Sequence, residues 1–332
     1  MKFSLIVCTY MRPEPLLKLL KSVQEQLLYP DQIIIVDGST NDETLGMLGA
    51  NSFKNLEYFK VSDEERGLTK QRNFGIEKVL DSMDIVCFLD DDIVLTQTYF
   101  KTLIETYAVF PNALGVGGYI SNEVDWRLLN PSEGTQIDQF VYDGWVRKDG
   151  SRFVLRKKLG LDADRKPAHL PDFAHGRSVS FLPPSGKTYK VEQFMGGVAS
   201  YKKEVLDLHK FSEYFEGYGL YEDADFTLRL SKMGELYVNT AAQLSHFHEA
   251  SGRPNQYSYG KMVVRNGWYV WRVRHPKPSF KARIKWNATA FLLTLIRFLN
   301  AVTSNEKKKA FTEAMGRTAG WLSLIFNKPR IE

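Results

Sequence analysis

A short apolar run that ends without a spacer on three carboxylates constrains this chain more than any other stretch. Ile85, Val86, Cys87, Phe88 and Leu89 make one buried strand, and Asp90, Asp91 and Asp92 follow at once. At about 5 Å and an effective dielectric of about 20, each close carboxylate pair costs roughly 3 kcal/mol. A strand end beside a core keeps that cost only where a cation or strong donors stand by. The run therefore predicts a hard divalent metal with oxygen ligands, shared with a phosphate, at the rim where open α/β sheets bind ligands. A solvated acidic turn, the simpler alternative, does not explain the abrupt stop.

The rest of the pattern supplies a sheet for that strand. Residues 3–8 read as a first strand, and Thr9 to Pro15 as a loop. Leu16, Leu19, Leu20, Val23 and Leu27 then recur at helical spacing. Ile33 to Val36 make a second buried strand ending on Asp37, placed to accept from a nucleobase or ribose; a turn or cap formed by Asp37 or Ser39 competes with that role. Leu56 to Val61 make a third strand. Gly67 permits a turn, and Thr69 can cap a helix reaching about Leu80. Lys70, Arg72 and Asn73 fall in its first turn, where cations oppose the helix dipole and a bound phosphate would account for them. A helix over 97–108 and a strand over 114–120 follow. Alternating strands and helices predict a doubly wound, mainly parallel α/β sheet.

Between about 121 and 191 periodicity fades into Gly, Pro and basic residues, as in an irregular insertion or an acceptor-side loop region. Gly196 and Gly197 then allow a close backbone approach. Residues 203–209 read as helical. Glu222, Asp223 and Asp225 open a later helix, where simple capping competes with a general-base role; Tyr221 and its aromatic neighbours favour the base. Residues 235–239 read as a strand. His246 and His248 beyond it alternate in an extended segment, point the same way, and can complete a carboxylate metal site.

Several classes are excluded. The first strand is followed by C-T-Y-M-R-P, not G-x-G-x-x-G; no G-x-x-x-x-G-K-[ST] occurs; and the acidic run lacks the Gly and Glu of an EF-hand. Cys8 and Cys87, both expected in core strands, offer no disulfide framework and suit a reducing compartment. From Arg253 onward 16 Lys/Arg face 3 Asp/Glu, a net of +13; the whole chain is +5, so residues 1–252 carry −8. A basic tail on an acidic body predicts an anionic partner surface. Apolar residues from Ile284 to Val302 at helical spacing, and Trp321 to Phe326, predict amphipathic helices on a bilayer rather than across it; a helical subdomain packed on the body is the alternative.

Taken in order, I-V-C-T-Y, I-I-V-D-G-S-T, G-L-T-K-Q-R-N-F-G, F-L-D-D-D, G-G-V-A-S-Y-K-K-E-V-L, Y-E-D-A-D-F-T-L-R and a late histidine resemble family 2 glycosyltransferases over roughly residues 1–250. The resemblance implies a GT-A fold as domain 1–250, with 251–332 as a basic amphipathic helical tail. It implies inverting transfer from a UDP- or dTDP-type nucleotide sugar to a glycan or lipid-linked acceptor. It assigns Asp223 as general base. Donor contacts fall to Thr9, Tyr10, Arg12, Asp37, Lys70, Arg72, Asn73, Asp90 and Asp91. Acceptor contacts fall to Gly196, Gly197, Tyr221 and Glu222. Asp92, with His246 or His248, holds Mn2+ or Mg2+. The second strand ends V-D-G-S where many members have V-D-D-G-S. Q-x-x-R-W, a motif of processive synthases, is missing, which implies addition of one or a few sugars. A cytoplasmic enzyme of polysaccharide biosynthesis, peripheral at the inner face of a membrane through 256–330, is expected. A nucleic-acid-binding protein using the basic tail leaves the acidic run unexplained, so no nucleic acid is expected. A sugar nucleotidyltransferase would need a glycine-rich loop after the first strand.

Overall fold

Alternating buried strands and amphipathic helices build the N-terminal third: β1 (Phe3–Thr9), α1 (Pro13–Gln24), β2 (Gln32–Asp37), α2 (Glu43–Gly49), β3 (Leu56–Lys60), α3 (Leu68–Glu77), β4 (Ile85–Asp90), β5 (Ile93–Leu95), α4 (Tyr99–Val109) and β6 (Ala113–Ile120). Next come β7 (Arg127–Leu128), β8 (Gln139–Tyr142), β9 (Trp145–Lys148) and α5 (Ser151–Lys158). β10 (Thr188–Val191), β11 (Val198–Lys202), α6 (Lys203–Leu208), α7 (Glu222–Leu230) and β12 (Glu235–His246) follow, and α8 (Gln256–Arg274), α9 (Phe280–Thr303) and α10 (Lys307–Phe326) close the chain. This is a computed structural model, and it describes residues 1–130, 132, 134–215, 217–248 and 254–331.

The chain forms two compact units, Met1–Val124 with Pro184–Arg253, and Asp125–Pro183 with Pro254–Glu332. The domain boundary expected at 250 falls among 249–253, outside the described residues. In the first unit a nine-stranded sheet runs β10-β12-β6-β11-β4-β1-β2-β3, with β5 on β12. β1, β2, β3, β4, β6 and β12 share one direction, while β5, β10 and β11 oppose it. Parallel strands buried on both faces need near-continuous apolar runs, and β1, β2 and β4 supply them. The register sets Cys8 beside Asp90 and Thr9 beside Asp37, so the first loop and two acids reach the rim together. Cys87 is buried as expected, but Cys8, near the rim, is only partly so.

α1 starts on Pro13 with Glu14 in its first turn and buries Leu16, Leu19, Leu20 and Val23. α3 departs from expectation. Gly67, at φ 129°, stands at its N-cap, and Thr69 is buried inside the helix rather than capping it.

The second unit gives the stretch expected to be irregular a three-stranded sheet, β7-β9-β8, and α5. Strands of two to four residues carry too little alternation to read from sequence. Arg177 is buried there, with its guanidinium on Asp149 at 2.9 Å and Asp162 at 2.9 Å. α8 is capped by Asn255 and α9 by Ser279, each accepting from a first-turn backbone N–H. α8 and α10 touch backbone to backbone: a Cβ on Gly316 would lie 2.0 Å from the Tyr257 carbonyl oxygen. Among the described residues no helix is long and apolar enough to cross a membrane.

Candidate active site

The acidic rim divides its three carboxylates among different partners. Asp91 is buried, accepting from Thr9 Oγ1 at 2.7 Å and Arg12 Nη1 at 3.1 Å. Burial pushes its carboxyl up to about 6 against the pull of those donors. Thr9, Arg12 and Asp91, expected to touch the donor, thus bind each other and tie the β1–α1 loop to β4. Asp92 reaches the other way, with its Oδ1 3.1 Å from His246 Nε2 and its Oδ2 3.5 Å from Arg12. Asp90 is the most open of the three, its side chain 45% exposed.

Asp90 has its place because the facing residue has no side chain. A Cβ on Gly197 would lie 2.0 Å from Asp90 Oδ2, and one on Gly196 would lie 2.5 Å from both Arg72 and Glu222. The glycine pair, expected at the acceptor, makes room for this charge cluster. Gly197 also accepts the Asp90 N–H at 3.1 Å through its carbonyl, and Gly196 N–H donates to Asp223 Oδ2 at 3.2 Å. Two consecutive residues at one strand end therefore seat Asp90 and Asp223.

Arg72 is buried between Glu222, to which it hydrogen-bonds, and Asp90 at 3.6 Å. Burial alone would lower its pKa, but Glu222 and Asp90 raise it, so the guanidinium stays charged. The carboxylates outnumber that one cation. Burial pushes Glu222 up to about 8, and its Oε2 is buried without a partner. Asp223 is raised by desolvation too, although the Ala224 N–H at the start of α7 and Gly196 N–H donate to it. Tyr221 caps α7 in the left-handed region, φ 70°. A strained cap beside raised carboxylates is the kind of arrangement that functional sites retain.

Other expected donor residues are engaged internally. Asp37 is fully buried, closed in by Tyr58 OH at 2.9 Å and the Ser39 N–H at 2.8 Å, so no open carboxylate stands at the end of β2. Asn73 exchanges two hydrogen bonds with the Phe211 backbone, both 2.9 Å. Arg72 and Glu222 are sealed in their ion pair. Lys70 donates to the Glu64 carbonyl at 3.0 Å, and Tyr10 is exposed under the Arg66 guanidinium at 5.9 Å.

His246 and His248 lie on one side, ring centroids 4.1 Å apart, but only His246 meets Asp92. His248 faces Glu123, which the sequence reading did not single out; it follows β6 in S-N-E-V, and no motif marks it. Hydrogen bonds to Asp92 and Glu123 raise His246 to about 10.

Residues 4–167 match the profile of glycosyl transferase family 2. Over 136 residues the chain is 33% identical to the glucosyl-dolichyl phosphate glucuronosyltransferase of Haloferax volcanii, covering 40% of this chain and 41% of that protein. Over 173 residues it is 34% identical to the GalNAc(5)-diNAcBac-PP-undecaprenol beta-1,3-glucosyltransferase of Campylobacter jejuni, covering 49% and 54%. The chain thus spans about half, or less, of the length of these curated relatives. The mannosyltransferase PcManGT from Pyrobaculum calidifontis, solved in complex with GDP-Man and Mn2+, is 14% identical with a TM-score of 0.55, covering 99% of this chain and 88% of that one. That likeness supports the GT-A fold.

Proposed function

Because this chain belongs to glycosyl transferase family 2 through residues 4–167, we propose that it moves one sugar from a UDP- or dTDP-type donor to an acceptor hydroxyl, inverting the anomeric carbon. The observation that carries this reading is the seating of Asp90 and Asp223 on adjacent residues of one strand end. Asp223, raised above the ordinary aspartate value by desolvation, takes the acceptor's proton as its oxygen attacks. One base on one face accounts for inversion. Arg72 and Glu222 hold the floor beneath the reacting groups, while Asp91, Thr9 and Arg12 hold the donor loop. Direct donor contacts fall to Asp90 and Tyr10, and Lys70 reaches the donor by giving up its bond to the Glu64 carbonyl.

The rim fits a hard divalent cation, Mn2+ or Mg2+. Asp92 and Asp90 offer carboxylate oxygens, and the His246 Nε2 stands 3.1 Å from Asp92 Oδ1. Such an ion, when bound, neutralises charge on the leaving diphosphate.

The relatives named for dolichyl phosphate and undecaprenol favour a lipid-linked acceptor. The C-terminal helices suit that partner. α9 exposes Phe280, Ile284, Phe291, Leu295 and Leu299 at helical spacing, and α10 exposes Phe311, Met315 and Leu322. Phe298 packs near Phe311 at 6.0 Å, and Phe291 near Trp321 at 6.4 Å, so the two stripes adjoin. Lys281 and Lys307 to Lys309 flank them, exposed. An apolar stripe edged by lysines lies on an anionic bilayer. The enzyme then works peripherally at the inner face of the membrane.

A panel of nucleotide sugars, assayed with Mn2+, Mg2+ or EDTA, tests the reading. Metal-dependent release of a nucleoside diphosphate from one donor is the expected result. No release and no binding from any donor would overturn it.

A further inference from the structure

His246 has a ring nitrogen on each side, and the fold gives each a carboxylate. Nε2 faces Asp92 Oδ1 at 3.1 Å, and Nδ1 faces Glu123 Oε1 at 2.9 Å. The same Glu123 oxygen meets His248 Nε2 at 3.1 Å. The backbone holds the arrangement. β6 and β12 pair in parallel through Leu244 and Ile120, and just beyond them Asn122 brackets His246. Its Oδ1 accepts the His246 N–H at 2.9 Å, and its Nδ2 donates to the His246 carbonyl at 2.9 Å. Two consecutive residues, Asn122 and Glu123, thus grip the main chain and the ring of one histidine.

A carboxylate that accepts from Nδ1–H selects the imidazole tautomer whose Nε2 lone pair is free to ligate. Here Nε2 is aimed at Asp92, to which its N–H donates at 3.1 Å; an ion bound at the rim would take the place of that proton. We propose that Glu123 is a positioning residue for the metal site, holding His246 so that Nε2 serves the rim, with His248 steadying Glu123 from its open side. This rests on Asp92 and His246 being the ligands. His248 is poorly suited to ligate at the rim, since its side chain is 57% exposed and turned to Glu123.

The test is Mn2+ binding by the full chain without nucleotide, followed by the electron paramagnetic resonance signal of free Mn2+. Thermal unfolding certifies each variant as folded. Wild type binds one ion. Glu123→Ala binds about 10- to 100-fold more weakly. Glu123→Gln, whose amide oxygen still accepts from Nδ1–H, stays within a few fold of wild type, and His248→Ala falls between wild type and Glu123→Ala. The proposal is overturned if folded Glu123→Ala binds like wild type, or if Glu123→Gln is as weak as Glu123→Ala, since charge rather than orientation would then matter. It is also overturned if wild type binds two ions and His248→Ala loses one, which would make Glu123, His246 and His248 a ligand set of their own. A different result, unchanged binding in Asp92→Ala and His246→Ala, would remove the rim as the metal site and take this inference with it.

Discussion

In each unit a buried arginine pairs with carboxylates, and the Arg72 and Arg177 clusters behave in opposite ways. Arg177 in the second unit is balanced. It meets Asp149 and Asp162, stacks over Phe140, Phe153 and Phe181, and Lys157 adds a second cation at 2.8 Å from Asp149. Burial works against the Asp149 charge, but Arg177 and Lys157 hold its carboxyl below the ordinary value. Arg72 in the first unit is outnumbered. Glu222, Asp223 and Asp90 crowd one guanidinium; Glu222 is pushed to about 8, and one of its oxygens has no partner. A cluster that only holds a fold together satisfies its charges. On the function proposed above, the unbalanced cluster serves chemistry, because a proton acceptor near neutral pH needs that imbalance.

The largest expected effect separates the clusters by activity. Asp223→Asn keeps the shape and loses the base, so turnover falls by about 10²- to 10⁴-fold while donor binding, followed by calorimetry, is nearly unchanged. Comparable turnover in this variant would remove Asp223 from the mechanism. Next, Arg177→Met leaves Asp149 buried and short of a partner, and urea unfolding should show a loss of about 3–5 kcal/mol. Arg72→Met should cost less stability than that and more activity, because its neighbours already take up protons readily. Equal losses in both would erase the distinction drawn between the clusters.

A smaller effect is expected at Gly197→Ala, where the added Cβ displaces Asp90. kcat/KM should fall about 10²-fold, with the melting temperature moving little. The smallest is a difference in slope. Glu222 holds its proton more tightly folded, to about 8, than unfolded, at 4.5, so its contribution to stability declines as pH rises through that window. Asp149 is depressed, so its contribution is present above 3.8 and is lost as pH falls through its folded value. In urea midpoints the wild-type advantage over Glu222→Gln should therefore shrink between pH 4.5 and 8, while the advantage over Asp149→Asn stays level there and shrinks only below pH 3.8.

The sheet was largely legible because buried parallel strands need near-continuous apolar runs, and β1, β2 and β4 have them. The acidic stop after Leu89 was legible for the same reason. β7 to β9 were not, since strands so short leave no period. The outward roles expected for Arg72, Asn73 and Asp37 rested on their place at helix starts and strand ends. Tyr58, Phe211 and Glu222, which turn those groups inward, come from distant segments. Gly196 and Gly197 leave both a ligand's approach and a tight bend open in the sequence; in the fold it is the chain's own Asp90, Arg72 and Glu222 that crowd them.

Residue order alone settled that carboxylates would gather at one rim of an α/β sheet, because a strand's hydrophobic length dictates where it stops. Which histidine meets them, which of the three aspartates stays open, and which arginine is left outnumbered were decided by contacts across the fold. Asn122 lies 124 positions from His246, and Arg72 lies 150 from Glu222. Spacing along the chain carries no record of such pairings, since they depend on how strands take their register and on which side chains burial leaves without water.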